Sequence, residues 1–256
     1  MPRVIIDAAE LSRDFGHVQA LRDASLRVHE REVVALVGDN GAGKSTFMNI
    51  LGGALAPDHG SLQILGAPAQ FTSVRDAQAV GVESVYQNLS LAPDLTVPES
   101  IFLGHEVLST RWRWLNVLDR DAMAEQSVKA LKLLGIELPR LDVPIADLSG
   151  GQRQAVAVAR AVKWAKSAIL MDEPTAALGV RQTDIVTRVI RAAANSGLAV
   201  LVISHDMPRM LQTADRIVVM RHGRTVADLH ATEVSIPDIV AEMLGISDVR
   251  RSFNGH

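Results

Sequence analysis

Cysteine is absent from the 256 residues. That single absence excludes disulfide frameworks, cysteine nucleophiles, iron–sulfur clusters and cysteine-based zinc sites. Long apolar runs are missing too. Stretches such as Val33–Val37 and Ala199–Ile203 have strand length, far short of the ~20 residues of a membrane span. Met1-Pro2-Arg3-Val4-Ile5-Ile6-Asp7 offers no apolar stretch before its first charges, so no secretory leader is expected and the chain is expected in the cytoplasm. Strong net charge is the third absence: 26 basic against 29 acidic residues leave −3, and no nucleic-acid partner is expected. What is present is ordinary in amount. Apolar residues at 48% suffice for a core, and 18 glycines are an average share, so their placement carries the information.

Strand-like apolar runs alternate with helical patterns, which predicts an α/β fold. The runs are Val4–Asp7, Ser25–Val28, Val33–Val37, Ala168–Met171, Ala199–Ile203 and Arg216–Met220. Helices are expected over Lys44–Gly52, Asp121–Leu134 (stopped by Gly135), Gln152–Ala165 and Gln182–Asn195. Between about 88 and 148 no strand pair is evident, and this stretch reads as a helical insertion into a core formed by about 1–87 and 149–235. A strand-and-helix tail follows, with 236–256 beyond the core and Arg250–His256 expected to fray.

Gly38-Asp39-Asn40-Gly41-Ala42-Gly43-Lys44-Ser45, followed by Thr46, fits the phosphate-binding pattern G-x-x-x-x-G-K-[ST]. Its context fits as well, between the run Val33–Val37 and an expected helix. The glycines let backbone N–H groups turn toward a phosphate, and the helix N-terminus adds partial positive charge. Lys44 is then placed to reach the outer phosphates and Ser45 to ligate Mg²⁺. Ala168-Ile169-Leu170-Met171-Asp172-Glu173 is an apolar run ending in two carboxylates. Ligands of open α/β sheets bind at the carboxyl ends of strands. Asp172 is thus a candidate for Mg²⁺ and Glu173 for accepting a proton from water. Leu148-Ser149-Gly150-Gly151-Gln152 opens another expected helix and forms a second anion-binding end. A single nucleotide rarely needs both ends from one chain.

Leu148-Ser149-Gly150-Gly151-Gln152 resembles the signature motif of ATP-binding-cassette (ABC) ATPases, and the family's other motifs follow in its order. Phe15 resembles the aromatic that stacks on adenine, Gln87 the Q-loop glutamine, and His205 the switch histidine at the γ-phosphate. The resemblance spans roughly Val4 to Leu244. It implies an α/β P-loop NTPase of the ABC ATPase type, with a mixed-sheet core, a β-subdomain and an inserted helical subdomain. It implies a head-to-tail dimer binding two ATP molecules with Mg²⁺, each between one subunit's phosphate loop and the other's signature. In that scheme Glu173 is the general base, His205 and Lys44 hold the γ-phosphate, and Gln87 contacts Mg²⁺ and relays the change to the helical insertion.

A lone cassette without a span resembles the energy subunit of bacterial importers, which work with a permease and a periplasmic binding protein. The phosphate loop, Ser100–Glu106 and Asp172–Val180 resemble those of monosaccharide importers. A cassette for another solute or for export is the alternative, followed by a soluble ABC ATPase. Three departures stand out. Gly179 occupies the place of a usual Asp. Arg31 occupies the place of a common Gly, in a turn where φ > 0 would strain it. Many monosaccharide importer ATPases carry two cassettes in one chain, and here one is present. Arg111-Trp112-Arg113-Trp114 has three readings: packing anchors, a permease-docking patch, or a nucleic-acid contact.

Overall fold

The computed structural model describes residues 2–86, 91–109, 117–176 and 178–246. Gln87, the Arg111–Trp114 patch and Arg250–His256 lie outside them.

Two sheets form. The first is antiparallel, with order β2-β1-β4-β5. Its strands are β1 (Val4–Phe15), β2 (Val18–His29), β4 (His59–Ile64) and β5 (Ala67–Pro68). The second has order β10-β9-β3-β8-β7-β6. It comprises β3 (Val33–Val37), β6 (Val82–Val85), β7 (Ala168–Asp172), β8 (Ala199–Ile203), β9 (Arg216–Arg221) and β10 (Arg224–His230). Neighbours from β9 to β6 run parallel, and β10 pairs antiparallel at the edge. The second sheet is therefore mixed.

The continuous apolar runs explain this sheet. Parallel strands covered on both faces have no solvent side, so they need no polar alternation. Alternate residues serve opposite faces. Val34, Leu36, Leu170, Leu201 and Ile203 pack toward the first sheet and α1 (Lys44–Leu51). Val33, Ala35, Val37, Ile169, Met171 and Val202 pack toward α5 (Gly150–Trp164) and α6 (Val180–Asn195). The described elements between β6 and α5 are α3 (Val97–Phe102), α4 (Arg120–Leu133) and a 3-10 turn at Ile145–Asp147. Phe102, Met123, Leu131 and Ile145 from this region join the α5–α6 core. The remaining helices are α2 (Val74–Ala79), α7 (Met207–Thr213) and α8 (Ile236–Leu244).

Several expected boundaries need correction. β1 extends to Phe15 and β2 starts at Val18, well beyond Val4–Asp7 and Ser25–Val28. Both carry exposed polar positions and register shifts, which break the apolar run that marks a buried strand. β4, β5 and β6 were not anticipated as strands. In β4 only Leu62 and Ile64 are buried. α5 begins at Gly150, so Gly150 and Gly151 lie in its first turn rather than before it. Gly135 does follow α4 with φ 66°, as a C′ glycine should.

Arg31 has φ 64° in the exposed turn between β2 and β3. The left-handed conformation costs a non-glycine residue ~1–2 kcal/mol, and glycine returns ~0.4–1 kcal/mol of that as unfolded-state freedom. Arg31→Gly is expected to stabilise the fold by about 0.5–1 kcal/mol, read as a higher urea midpoint at unchanged slope. A lower midpoint would show that the Arg31 side chain makes contacts that outweigh the strain.

Candidate functional site

Three chain segments, following β3, β7 and β8, meet at the carboxyl edge of the parallel strands. β3 delivers the phosphate loop. Val37 ends the strand, and the loop turns through an Ala42 N–H···O=C Asp39 hydrogen bond of 3.1 Å into α1. Gly43 caps that helix at φ 102°, and a Cβ there would stand 2.6 Å from the Ala20 carbonyl oxygen. Only glycine meets both demands, the left-handed backbone and the close pass over β2.

Lys44 is buried at the start of α1, and its Nζ donates to the loop's own carbonyls, Gly38 O at 2.7 Å and Asp39 O at 2.8 Å. Burial lowers its pKa, while the carboxylates of Glu173, Asp39 and Asp172 pull the other way. A desolvated ammonium whose direct partners are two neutral carbonyls can exchange them for an anion's oxygens.

β7 delivers Asp172 and Glu173. Burial raises the Asp172 pKa, with the nearby Glu173 charge adding to it, while a hydrogen bond from Ser45 and the charges of Lys44 and His205 oppose. Asp172 thus faces Ser45 at the start of α1. Glu173 lies just beyond the strand at φ 49°, a conformation rare for a non-glycine residue and concentrated at functional sites. Its N–H donates to Ile203 O on β8 at 3.0 Å. β8 delivers the partner: His205 Nε2 lies 2.8 Å from Glu173 Oε1. The pairing of Asp172 with Ile203 makes these side chains neighbours on adjacent strand ends.

The hydroxyl of Ser45 and the carboxylate of Asp172 form an oxygen donor pair that suits Mg²⁺. Among the described residues no group of three or more His, Asp or Glu forms a metal cage.

Phe15 sits at a tight hairpin, paired with Val18, and its ring is half exposed. The hairpin opens only two residues before Ala20, which touches the phosphate loop. Arg13 was missed in the sequence. Its guanidinium carbon is 5.3 Å from the Phe15 ring centroid, and Asp58 holds it at 2.6 Å while also accepting the Asp14 N–H at 2.8 Å. No local pattern could reveal this contact, because Asp58 is 45 residues away.

Ser149 caps α5. Its Oγ accepts from Gln152 N at 3.3 Å, and Gln152 Oε1 accepts from Ser149 N at 2.9 Å. This reciprocal capping box satisfies two donors of the first turn and leaves the N–H groups of Gly150 and Gly151 beside it. Asp206 caps α7 directly after His205, and Arg209 bonds both Asp206 and Asp184 of α6. That clamp fixes the backbone on which His205 is carried.

The sequence profile of the ABC transporter family matches residues 21–176. Over 250 residues the chain is 39% identical to the fructose import ATP-binding protein of Rhizobium meliloti, covering 96% of each. It is 41% identical over 239 residues to the xylose/arabinose import ATP-binding protein of Sulfolobus acidocaldarius, covering 93% of each. A nucleotide-free ATP-binding cassette from an ABC transporter superposes with a TM-score of 0.80 at 24% identity, over 93% of this chain and 95% of that one. The chain belongs to the ABC transporter family, as an ATP-binding and ATP-hydrolysing cassette of the P-loop ABC fold. Among the described residues no helix is long and apolar enough to cross a membrane.

Proposed function

We propose that the chain is the energy subunit of a membrane importer for a monosaccharide, and that it works as a pair of copies. Each ATP lies between the phosphate loop of one copy and the signature Ser149–Gly151 of the other. The observation that carries this reading is the cluster of Lys44, Ser45, Asp172, Glu173 and His205 at one strand edge, together with a second capped helix end at Ser149. Full-length likeness to cassettes named for fructose and for xylose/arabinose import supports the solute class.

In this reading Phe15 stacks on adenine, and Gly38, Asp39, Asn40, Gly41, Ala42, Gly43 and Thr46 surround the phosphates. Lys44 exchanges its two loop carbonyls for the β- and γ-phosphates, which repays its desolvation. Ser45 and Asp172, with Gln87, hold Mg²⁺, which when bound neutralises charge on the phosphates. Glu173 accepts the proton of the attacking water. His205 holds the Glu173 carboxylate before ATP arrives and turns to the γ-phosphate afterwards. Gln87 links the site to the helical insertion, which meets a permease; the cassette then sits on the inner face of the membrane, with a periplasmic binding protein supplying the solute.

Deleting the gene should abolish uptake of labelled fructose, xylose or ribose and leave amino-acid uptake intact. Wild-type chain should restore it and Lys44→Ala chain should not. Lost amino-acid uptake with intact sugar uptake would overturn the solute class.

A further inference from the structure

α5 starts in an unfavourable way. Gly150 and Gly151 form its first turn, and glycine is among the poorest helix formers because it loses most backbone freedom. Neither residue has a side chain with which to anchor that turn. Yet Gly151 is buried, and what covers it is Gln182, in the first turn of α6. A Cβ built on Gly151 would lie 2.2 Å from Gln182 Cγ and 2.4 Å from its Cβ. The far end of the same side chain lies over a second glycine. A Cβ on Gly179 would stand 2.6 Å from Gln182 Oε1. Gly179 has φ −72°, so its backbone does not require glycine; a Cβ there would push aside the free end of the Gln182 side chain. Gln182 thus runs across two bare α-carbons, one at the start of α5 and one at the cap of α6. With Ser149, Gly151 and Gln152 it also lines a cavity of 470 Å³.

We propose that Gln182 is the positioning residue of the signature, holding the Ser149–Gly151 turn in the orientation that engages ATP on the partner copy. The side chain occupies the space that the two glycines leave and substitutes for the packing they cannot provide. This also accounts for Gly179 where the resemblance leads one to expect Asp: a larger residue there would displace the Gln182 amide. The inference rests on the composite-site reading above. Gln182 touches no substrate in its own copy, so its loss should spare ATP binding to the phosphate loop and impair only the step that needs the signature.

The test uses the Glu173→Gln chain, in which hydrolysis is blocked, and follows dimer mass by light scattering as ATP with Mg²⁺ is added. Adding Gln182→Ala should raise the ATP concentration for half-dimerisation about tenfold, a loss of ~1.4 kcal/mol. Binding of a fluorescent ATP analogue to the monomer and the Tm should not change. Gln182→Glu, which keeps the Cβ, Cγ and length, should restore dimerisation. Gly179→Ala should shift dimerisation in the same direction and add nothing in the Gln182→Ala chain, as expected for two changes at one contact. Equal dimerisation with and without Gln182→Ala would overturn the inference, as would a fall in Tm or monomer ATP binding that matches the dimerisation loss. If the parent Glu173→Gln chain itself stays monomeric, the composite-site reading fails first.

Discussion

Glu173→Gln is expected to slow ATP hydrolysis by roughly 10²–10⁴, the usual contribution of a positioned general base, without weakening ATP binding. The amide has the same shape and can keep the 2.8 Å contact with His205, but it cannot take a proton from water. Binding is spared for an electrostatic reason. Glu173 is the foremost carboxylate acting on Lys44 and is the like charge that raises Asp172. Removing it lessens the negative charge that the γ-phosphate must approach. The check is a single-turnover assay beside a binding titration. Loss of both turnover and affinity would make Glu173 a binding group, and unchanged turnover would remove it from the chemistry.

Lys44→Met should weaken ATP binding about 10²-fold, since a hydrogen bond to a charged group contributes ~1.5–3 kcal/mol and each ~1.4 kcal/mol is tenfold. The apo protein should not lose stability. Lys44 is buried with its pKa lowered by desolvation, and an apolar side chain of similar length removes that cost. Calorimetric titration with ATP, alongside a thermal melt without it, separates the two effects. A collapse of the melt would mean that the bonds to Gly38 O and Asp39 O shape the loop itself.

These two residues were legible because their motifs are local. A strand, a glycine loop and a helix start lie within a dozen residues, and each imposes its own residue types. The strands buried on both faces were legible for the same reason: Val33–Val37 and Ala199–Ile203 have the expected bounds. β1 and β2 were not read to their full extent and β4 was not read at all, because one face is solvated and bulges break their alternation. In the site, Glu173 and His205 were each picked out singly. Their contact follows from the β7–β8 pairing across about thirty residues of chain, which no spacing encodes. Gln182, Arg13 and Asp58 escaped notice because each works through a partner distant in sequence. Arg31 stood out only because the resemblance leads one to expect glycine there, and its φ of 64° is the strained value that such a turn imposes.

The central claim is that one chain's phosphate loop and another chain's signature share an ATP. The absence of cysteine allows a direct measurement. Asn40→Cys is placed in one Glu173→Gln chain and Gly150→Cys in a second, tagged Glu173→Gln chain. Asn40 is exposed, and a Cβ on Gly150 meets nothing nearer than Leu178 Cδ2 at 3.9 Å, so both positions accept a side chain. With a short bifunctional thiol reagent, the account predicts a cross-link between the two different chains that forms with ATP and not with ADP. Cross-linking that ignores the nucleotide, or none at all while both chains bind ATP, would contradict it.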